Sequence, residues 1–241
     1  MFVILCLIAM VSPISPIVPR VVQGQPVIAR VIADCRVYAD SSLKFPVGDA
    51  RAGEFAEVLE DFTMRAYRIR ISDNGTEGWI DGANLIIPPD PPTDMSIAPI
   101  ADLEKFVNDG GYISKTKYLV LTDIARQQTH VFYGASGAWR HIRRFSCSTG
   151  ENASPTTRGE FRMEARGEWF YSARLGAGGK WWIRFNGDYL YHSIPMDENR
   201  QIIPGEDVVG VRRSAGCVRL LPDCAKWLYD NVPDGTTVII E

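Results

Sequence analysis

The residues best suited to chemistry lie in Arg213-Ser214-Ala215-Gly216-Cys217-Val218-Arg219-Leu220, where a cysteine follows a glycine and is bracketed by a serine and an arginine. Upstream, in Tyr189-Leu190-Tyr191-His192-Ser193-Ile194-Pro195, a histidine ends a short apolar run. A thiol attacks a carbonyl as the thiolate, so it needs a base, and His192 is the candidate. The glycine lets a carbonyl approach the backbone, which makes the amides of Ala215, Gly216 and Cys217 candidates for an oxyanion hole. The Arg219 guanidinium suits a carboxylate. A cysteine taken alone is more often a buried, inert hydrophobe. Its setting among Ser214, Gly216, Arg219 and His192 turns the reading to cysteine acyl transfer. Arg219 keeps a second reading, as a structural ion pair at the start of a closing helix. Arg219 and Tyr191 are the candidate substrate-binding residues.

The order His192, Ser214, Gly216, Cys217, Arg219 resembles the His, spacer, Ser-x-Gly-Cys-x-Arg pattern of bacterial L,D-transpeptidases, which cross-link peptidoglycan. Further segments resemble that family in the same order: Tyr118–Asp123 with Gln127–Phe132 as an opening hairpin, Phe145-Ser146-Cys147-Ser148-Thr149-Gly150, and Pro155-Thr156-Thr157-Arg158-Gly159-Glu160-Phe161. Cys224–Tyr229 and Gly235–Ile240 match the closing helix and strand. The family most often has a second His between Ser and Gly, where this chain has Ala215, and the stretch from His192 to Cys217 is longer than usual. Asp197-Glu198-Asn199-Arg200 therefore reads as the polar tip of an inserted hairpin. The resemblance implies that Cys217 is the nucleophile and His192 its base, with one ring nitrogen oriented by the backbone carbonyl of Ser193. Ser214 is implied as the small hydroxyl beside the site. Peptidoglycan stem peptides are implied as donor and acceptor, 3→3 cross-links as product, and carbapenems as inhibitors that acylate the thiol. An L,D-carboxypeptidase or cross-link hydrolase using the same residues is the nearest rival, and a non-catalytic peptidoglycan-binding protein the next.

Composition narrows the classes. A chain of 241 residues suffices for two modest domains, and 46% hydrophobic residues is ordinary for a globular protein. A net charge of −3 gives no electrostatic case for nucleic acid. His130 and His141 make no zinc signature and read as surface or hairpin positions, so neither metal nor cofactor is expected. A monomer is expected. Phe2–Val11 is an apolar run too short to span a bilayer and is followed by Pro13, Pro16 and Pro19. It reads as a secretion signal or anchor over residues 1–28, with a cut near Gly24 or Ala29, and predicts export to the cell envelope. Cys35, Cys147 and Cys224 read as buried small hydrophobes.

The expected fold is mainly β. Val27–Ile32, Ala56–Glu60 and Tyr67–Ile71 carry strand patterns, Asp73-Asn74-Gly75 signals a tight turn, and Gly78-Trp79-Ile80-Asp81 follows. This order resembles a bacterial SH3-like barrel over residues 29–86. Residues 87–101 read as a Pro-rich, semi-rigid linker, so residues before about Thr93 are expected to be dispensable for chemistry. Residues 102–241 read as a β-sandwich catalytic domain with a short closing helix. The aromatics Trp169, Phe170, Tyr171, Trp181, Trp182 and Phe185 read as core, with a groove wall as the alternative. Gly176-Ala177-Gly178-Gly179-Lys180 fails as a phosphate loop because Trp181 follows the lysine.

Overall fold

The computed structural model describes residues 24–173 and 175–241. Most of the segment read as a leader lies outside them. Its last residues do not: Val27–Val31 is strand β1, and Ala29 is fully buried opposite Ala56. A cut at Ala29 would remove the head of that strand, so the expected boundary at residue 28 is displaced.

The N-terminal unit is one sheet of seven strands. After β1 come β2 (Cys35–Tyr38), β3 (Pro46–Ala50), β4 (Phe55–Phe62), β5 (Ala66–Ile71), β6 (Glu77–Asp81) and β7 (Leu85–Ile86), ordered β3-β2-β6-β5-β4-β1-β7. Alternation fixes which face is buried. In β5, Ile69 and Ile71 point inward while Arg68 and Arg70 point out. The outward arginines pair with Glu57, Glu60 and Glu77 on neighbouring strands. These are exposed pairs and add little stability. The core of Val31, Val37, Ala56, Ile69, Ile71 and Ile80 provides the drive. Strands β2, β3 and β7 escape a sequence reading because they are short and half-exposed.

The segment read as a semi-rigid linker is tied down by residues far along the chain. The Pro88 and Pro89 carbonyls accept from Asn152 Nδ2 at 3.1 and 3.0 Å. Asp90 Oδ1 accepts from the Asn152 backbone, and Thr93 Oγ1 donates to the Gly210 carbonyl. Helix α1 (Ile100–Asp109) comes next and ends at Gly110-Gly111.

The C-terminal unit comprises β8 (Tyr118–Asp123), β9 (Gln128–Tyr133), β10 (Arg140–Ser148), β11 (Gly159–Arg162), β12 (Arg166–Ser172), β13 (Ala177–Asn186), β14 (Tyr189–Ser193), β15 (Val218–Leu220), α2 (Pro222–Asn231) and β16 (Thr237–Ile240). The expected sandwich is a single nine-stranded sheet folded over, in the order β11-β16-β8-β9-β10-β15-β14-β13-β12. Strand β10 is the shared seam: Arg140–Ser146 pair with β9, and Cys147 and Ser148 pair with β15. Both halves fill one core, with Val120, Val131 and Val238 from one side and Ile183, Tyr191 and Leu220 from the other. Helix α2 closes this core with Ala225 and Leu228, and Pro222 sits at its first turn, where a missing N–H costs nothing. Helix α1 covers the other face by packing Leu103 and Val107 on Leu119, Leu121 and Phe132. Truncating Leu103 to Ala is expected to cost about 2–5 kcal/mol.

Of the surface and hairpin readings of His130, the structure fits the hairpin one. His130 is fully buried in β9, with Nδ1 3.2 Å from His141 Nε2 and its own Nε2 without a partner. Burial, then the neighbouring His141, pushes it down to about 3. The unfolded chain, with an ordinary value near 6.5, therefore takes up a proton that the folded chain refuses. Stability is complete above that value and declines as pH falls towards about 3. Between pH 7 and pH 5 this one residue should cost about 2 kcal/mol. Melting temperature followed against pH in His130→Gln should show a shallower acid slope than the parent; an unchanged slope would contradict the assignment.

Candidate active site

The parallel pairing of β14 with β15 matches Tyr191 to Val218, His192 to Arg219 and Ser193 to Leu220. Ser148 pairs with Arg219 from the other side. Ser148, Arg219 and His192 therefore form one cross-strand row, because side chains alternate faces along each strand. Tyr191 falls on the opposite face. It is fully buried, with its hydroxyl 2.7 Å from Thr122 Oγ1, and so is a core residue rather than a substrate contact.

His192 is 6% exposed. Its Nδ1 lies 2.5 Å from the Ser193 carbonyl oxygen, so Nδ1–H donates there and Nε2 is left as a base. Ser193 acts through that carbonyl. Its side chain accepts from the Lys180 amide and donates to the Ile194 carbonyl, tying β14 to β13. Phe170 meets the imidazole edge-on at 5.1 Å, which assigns one of the aromatics to the site wall. A Cβ on Gly179 would lie 2.6 Å from His192 Nδ1. The glycine run unsuited to phosphate is thus what makes room for the ring. Burial, then the Arg219 charge, pushes His192 down to about 4.

Cys217 follows a turn held by its own residues. Ser214 Oγ donates to the Cys217 carbonyl at 2.5 Å and accepts from the Gly216 amide at 3.1 Å. Of the three candidate oxyanion amides, that of Gly216 is therefore committed to the turn. Gly216 has φ of +100°, and a Cβ there would strike the Tyr189 ring at 2.3 Å, so both backbone and space demand glycine. Ala215 is exposed at the mouth of the turn. Thr156 Oγ1 donates to the Gly216 carbonyl at 2.7 Å and accepts from the Gly150 amide at 2.8 Å. Gln127 holds the same segment, bonding Thr149 through both ends of its side-chain amide. Thr156, Tyr189 and Gln127 were not singled out in the sequence, since their partners lie far along the chain.

Cys217 is partly exposed, but its thiol is closely surrounded. The sulfur donates to the Asp188 carbonyl at 3.7 Å rather than to His192. Burial pushes the thiol up to about 11, against the opposing pull of the Leu190 amide and Arg219. The resting pair is a neutral thiol and a neutral imidazole, not the low-pKa thiolate that a thiol beside an imidazole suggests. Arg219 Nη1 pairs with Glu206 Oε2 at 2.8 Å, and Glu206 also holds Arg213 at 3.1 Å. The ion-pair reading of Arg219 is thus present in the fold. The polar tip expected after Met196 is a tight hairpin, closed by the Met196–Ile202 bridge and the Asp197–Gln201 backbone bond.

The four cysteines of the described residues are free thiols. Cys147 is fully buried and its thiol is pushed up to about 12, while Cys35 and Cys224 are only half-buried. Among the described residues no helix is long and apolar enough to cross a membrane.

A strand-borne histidine locked by the carbonyl of the next residue, opposite a Ser-x-Gly-Cys turn in a folded-over sheet, agrees with the sequence comparison. The family model "YkuD: L,D-transpeptidase catalytic domain" matches residues 117–240, and the chain belongs to that family. In Bacillus subtilis (strain 168), the "Putative L,D-transpeptidase YciB" is 38% identical over 96 residues, covering 38% of this chain and 48% of its own length. The chain thus spans about half the length of that relative. A fused Zn-dependent amidase/peptidase/peptidoglycan-binding domain-containing protein from Clostridium acetobutylicum ATCC 824 superposes with a TM-score of 0.50 at 29% identity, covering 65% of each chain. An L,D-transpeptidase from Stackebrandtia nassauensis gives 0.42 at 21% identity, covering 60% of this chain and 67% of its own.

Two pH profiles test the neutral pair. Alkylation of Cys217 by iodoacetamide, read on its own peptide by mass spectrometry, should still be rising above pH 9, because the thiol is held above the free value near 8.5. A plateau below pH 8 would show a preformed thiolate instead. A reaction needing neutral His192 should hold its rate down to about pH 5, since the imidazole is depressed to about 4.

Proposed function

We propose that the chain is an exported peptidoglycan L,D-transpeptidase that forms 3→3 cross-links through a thioester on Cys217. The observation that carries this reading is His192 in β14, with Nδ1 fixed on the Ser193 carbonyl and Nε2 free, one strand from the Cys217 turn. Family membership over residues 117–240 supports it. The apolar run Phe2–Val11 supports export.

The donor is a stem tetrapeptide. The Cys217 side chain rotates away from the Asp188 carbonyl, and His192 Nε2 takes its proton as the sulfur attacks the carbonyl of the third residue, a diamino acid. The amides of Ala215 and Cys217 face the developing oxyanion, that of Gly216 being engaged by Ser214. The bond to the terminal D-alanine breaks, and its amine leaves with the proton from His192. The side-chain amine of an acceptor stem then attacks the thioester. Its proton passes through His192 to the departing sulfur, a new amide forms and the thiol returns. No cofactor or metal enters these steps. Arg219 keeps donors beyond the one on Glu206 and offers them to a substrate carboxylate.

Purified tetrapeptide muropeptides should give a 3→3 dimer and free D-alanine by mass spectrometry, and Cys217→Ala should give neither. Trimmed monomer alone would make water the acceptor and replace transfer with hydrolysis. A carbapenem should add its mass to the peptide containing Cys217, and His192→Ala should slow that acylation by about 10² or more. Arg219→Lys keeps the charge but loses the planar fork, so KM should rise while the melting temperature barely moves. A large loss of melting temperature with normal kinetics would leave Arg219 as the partner of Glu206 alone.

A further inference from the structure

The β4–β5 hairpin of the N-terminal unit does not hang free on its proline-rich tether. Asp61 Oδ1 accepts from Ser154 Oγ at 2.7 Å, and the Tyr67 hydroxyl donates to the Ala153 carbonyl at 2.9 Å. Ser154 is 1% exposed and Tyr67 4% exposed, so one partner of each bond is buried. The backbone of Asp61 also interacts with the Tyr189 hydroxyl. Asp61 Oδ2 accepts from the Met64 amide, which stiffens the hairpin that makes these contacts.

These contacts converge on the nucleophile by two routes. The first runs through residues 152–156. Asn152 holds the Pro88–Asp90 segment, Ala153 and Ser154 are held by the hairpin, and Thr156 grips the Gly216 carbonyl. The second runs through Tyr189, whose ring leaves no space for even a methyl group on Gly216. Gly216 is the residue before Cys217, and its left-handed backbone is set by what surrounds it. Neither route passes through the core of the C-terminal unit alone.

We infer that the N-terminal unit is part of the catalytic apparatus: Asp61 and Tyr67 are positioning residues that set the Gly216–Cys217 backbone through the 152–156 loop and Tyr189. The inference rests on the transpeptidase reading for its consequence and replaces the expectation that residues before Thr93 are dispensable. A displaced loop moves the Gly216 carbonyl and, with it, the sulfur relative to His192. Misplacement of a reacting group by about 1 Å costs up to about 10² in rate.

The test keeps the full chain. Tyr67→Phe removes only the bond to Ala153, and Ser154→Ala only the bond to Asp61. Each should slow carbapenem acylation about tenfold and displace the pH profile of Cys217 alkylation, with little change in melting temperature. Asp61→Asn, which retains an acceptor for Ser154, should lose much less than Asp61→Ala. Ile69→Val is the control: it deletes one buried methyl from the N-terminal core without touching the interface. It should lower the melting temperature yet leave both readouts as in the parent. Parent-like acylation and alkylation in both Tyr67→Phe and Ser154→Ala would overturn the inference, as would an equal loss in Ile69→Val. If the parent failed to acylate at all, the transpeptidase reading would fall, and the alkylation profiles would still decide whether the hairpin positions the thiol.

Discussion

The cleft depends on the parallel pairing of β14 with β15. Parallel neighbours cannot be joined by a tight turn, so the chain must leave the sheet after Ser193 and return before Val218. That excursion carries the Asp197–Gln201 hairpin, Glu206, which pairs with Arg219, and the Ser214 turn that leads into Cys217. The pairing also sorts faces. Tyr191, Val218 and Leu220 fill the core, while His192 and Arg219 line the cleft. A slip of one residue would bury the histidine in apolar packing and bring Tyr191 to the cleft.

Desolvation governs the electrostatics of this site more than charge pairing does. It disfavours the charged form of both groups, holding the thiol protonated and the imidazole neutral. Arg219 acts in the same sense on the imidazole and in the opposite sense on the thiol, by repelling the imidazolium and attracting the thiolate. Glu206 partly neutralises that guanidinium. A thiol held protonated in this way presents little thiolate, the form that reacts with alkylating agents and oxidants.

Local signals made Cys217 and His192 legible as candidate site residues. Ser214, Gly216 and Cys217 sit within one turn, and His192 follows the apolar residues of a strand that announces itself by them. Strand alternation also shows what was misjudged. Tyr191 is next to His192 in a strand, so it must face the other way, and the alternation alone excludes it from the cleft. Gly179 was visible as part of a glycine run, but its role depends on a ring from another strand. Asp61, Tyr67 and Thr156 were beyond reach, because their meaning lies in contacts 60 to 93 positions apart. The prolines of residues 88–92 point to extended backbone, yet extension does not imply detachment. Asn152 captures their carbonyls, and no local pattern foretells that.

Strand β16 has a consequence for how the molecule comes into being. Thr237–Ile240 lie between β11 and β8, in the interior of the sheet, and pair in parallel with residues made far earlier. Until that strand exists, β8 and β11 have no neighbour on those sides and the shared core lacks Val238 and Ile240. Such distant pairing makes closure a late and slow event. A ribosome-bound chain that already contains Cys217 therefore carries the thiol without its architecture. The surroundings of Cys217 can form only after Thr237–Ile240 have been made and the two halves of the sheet share their core.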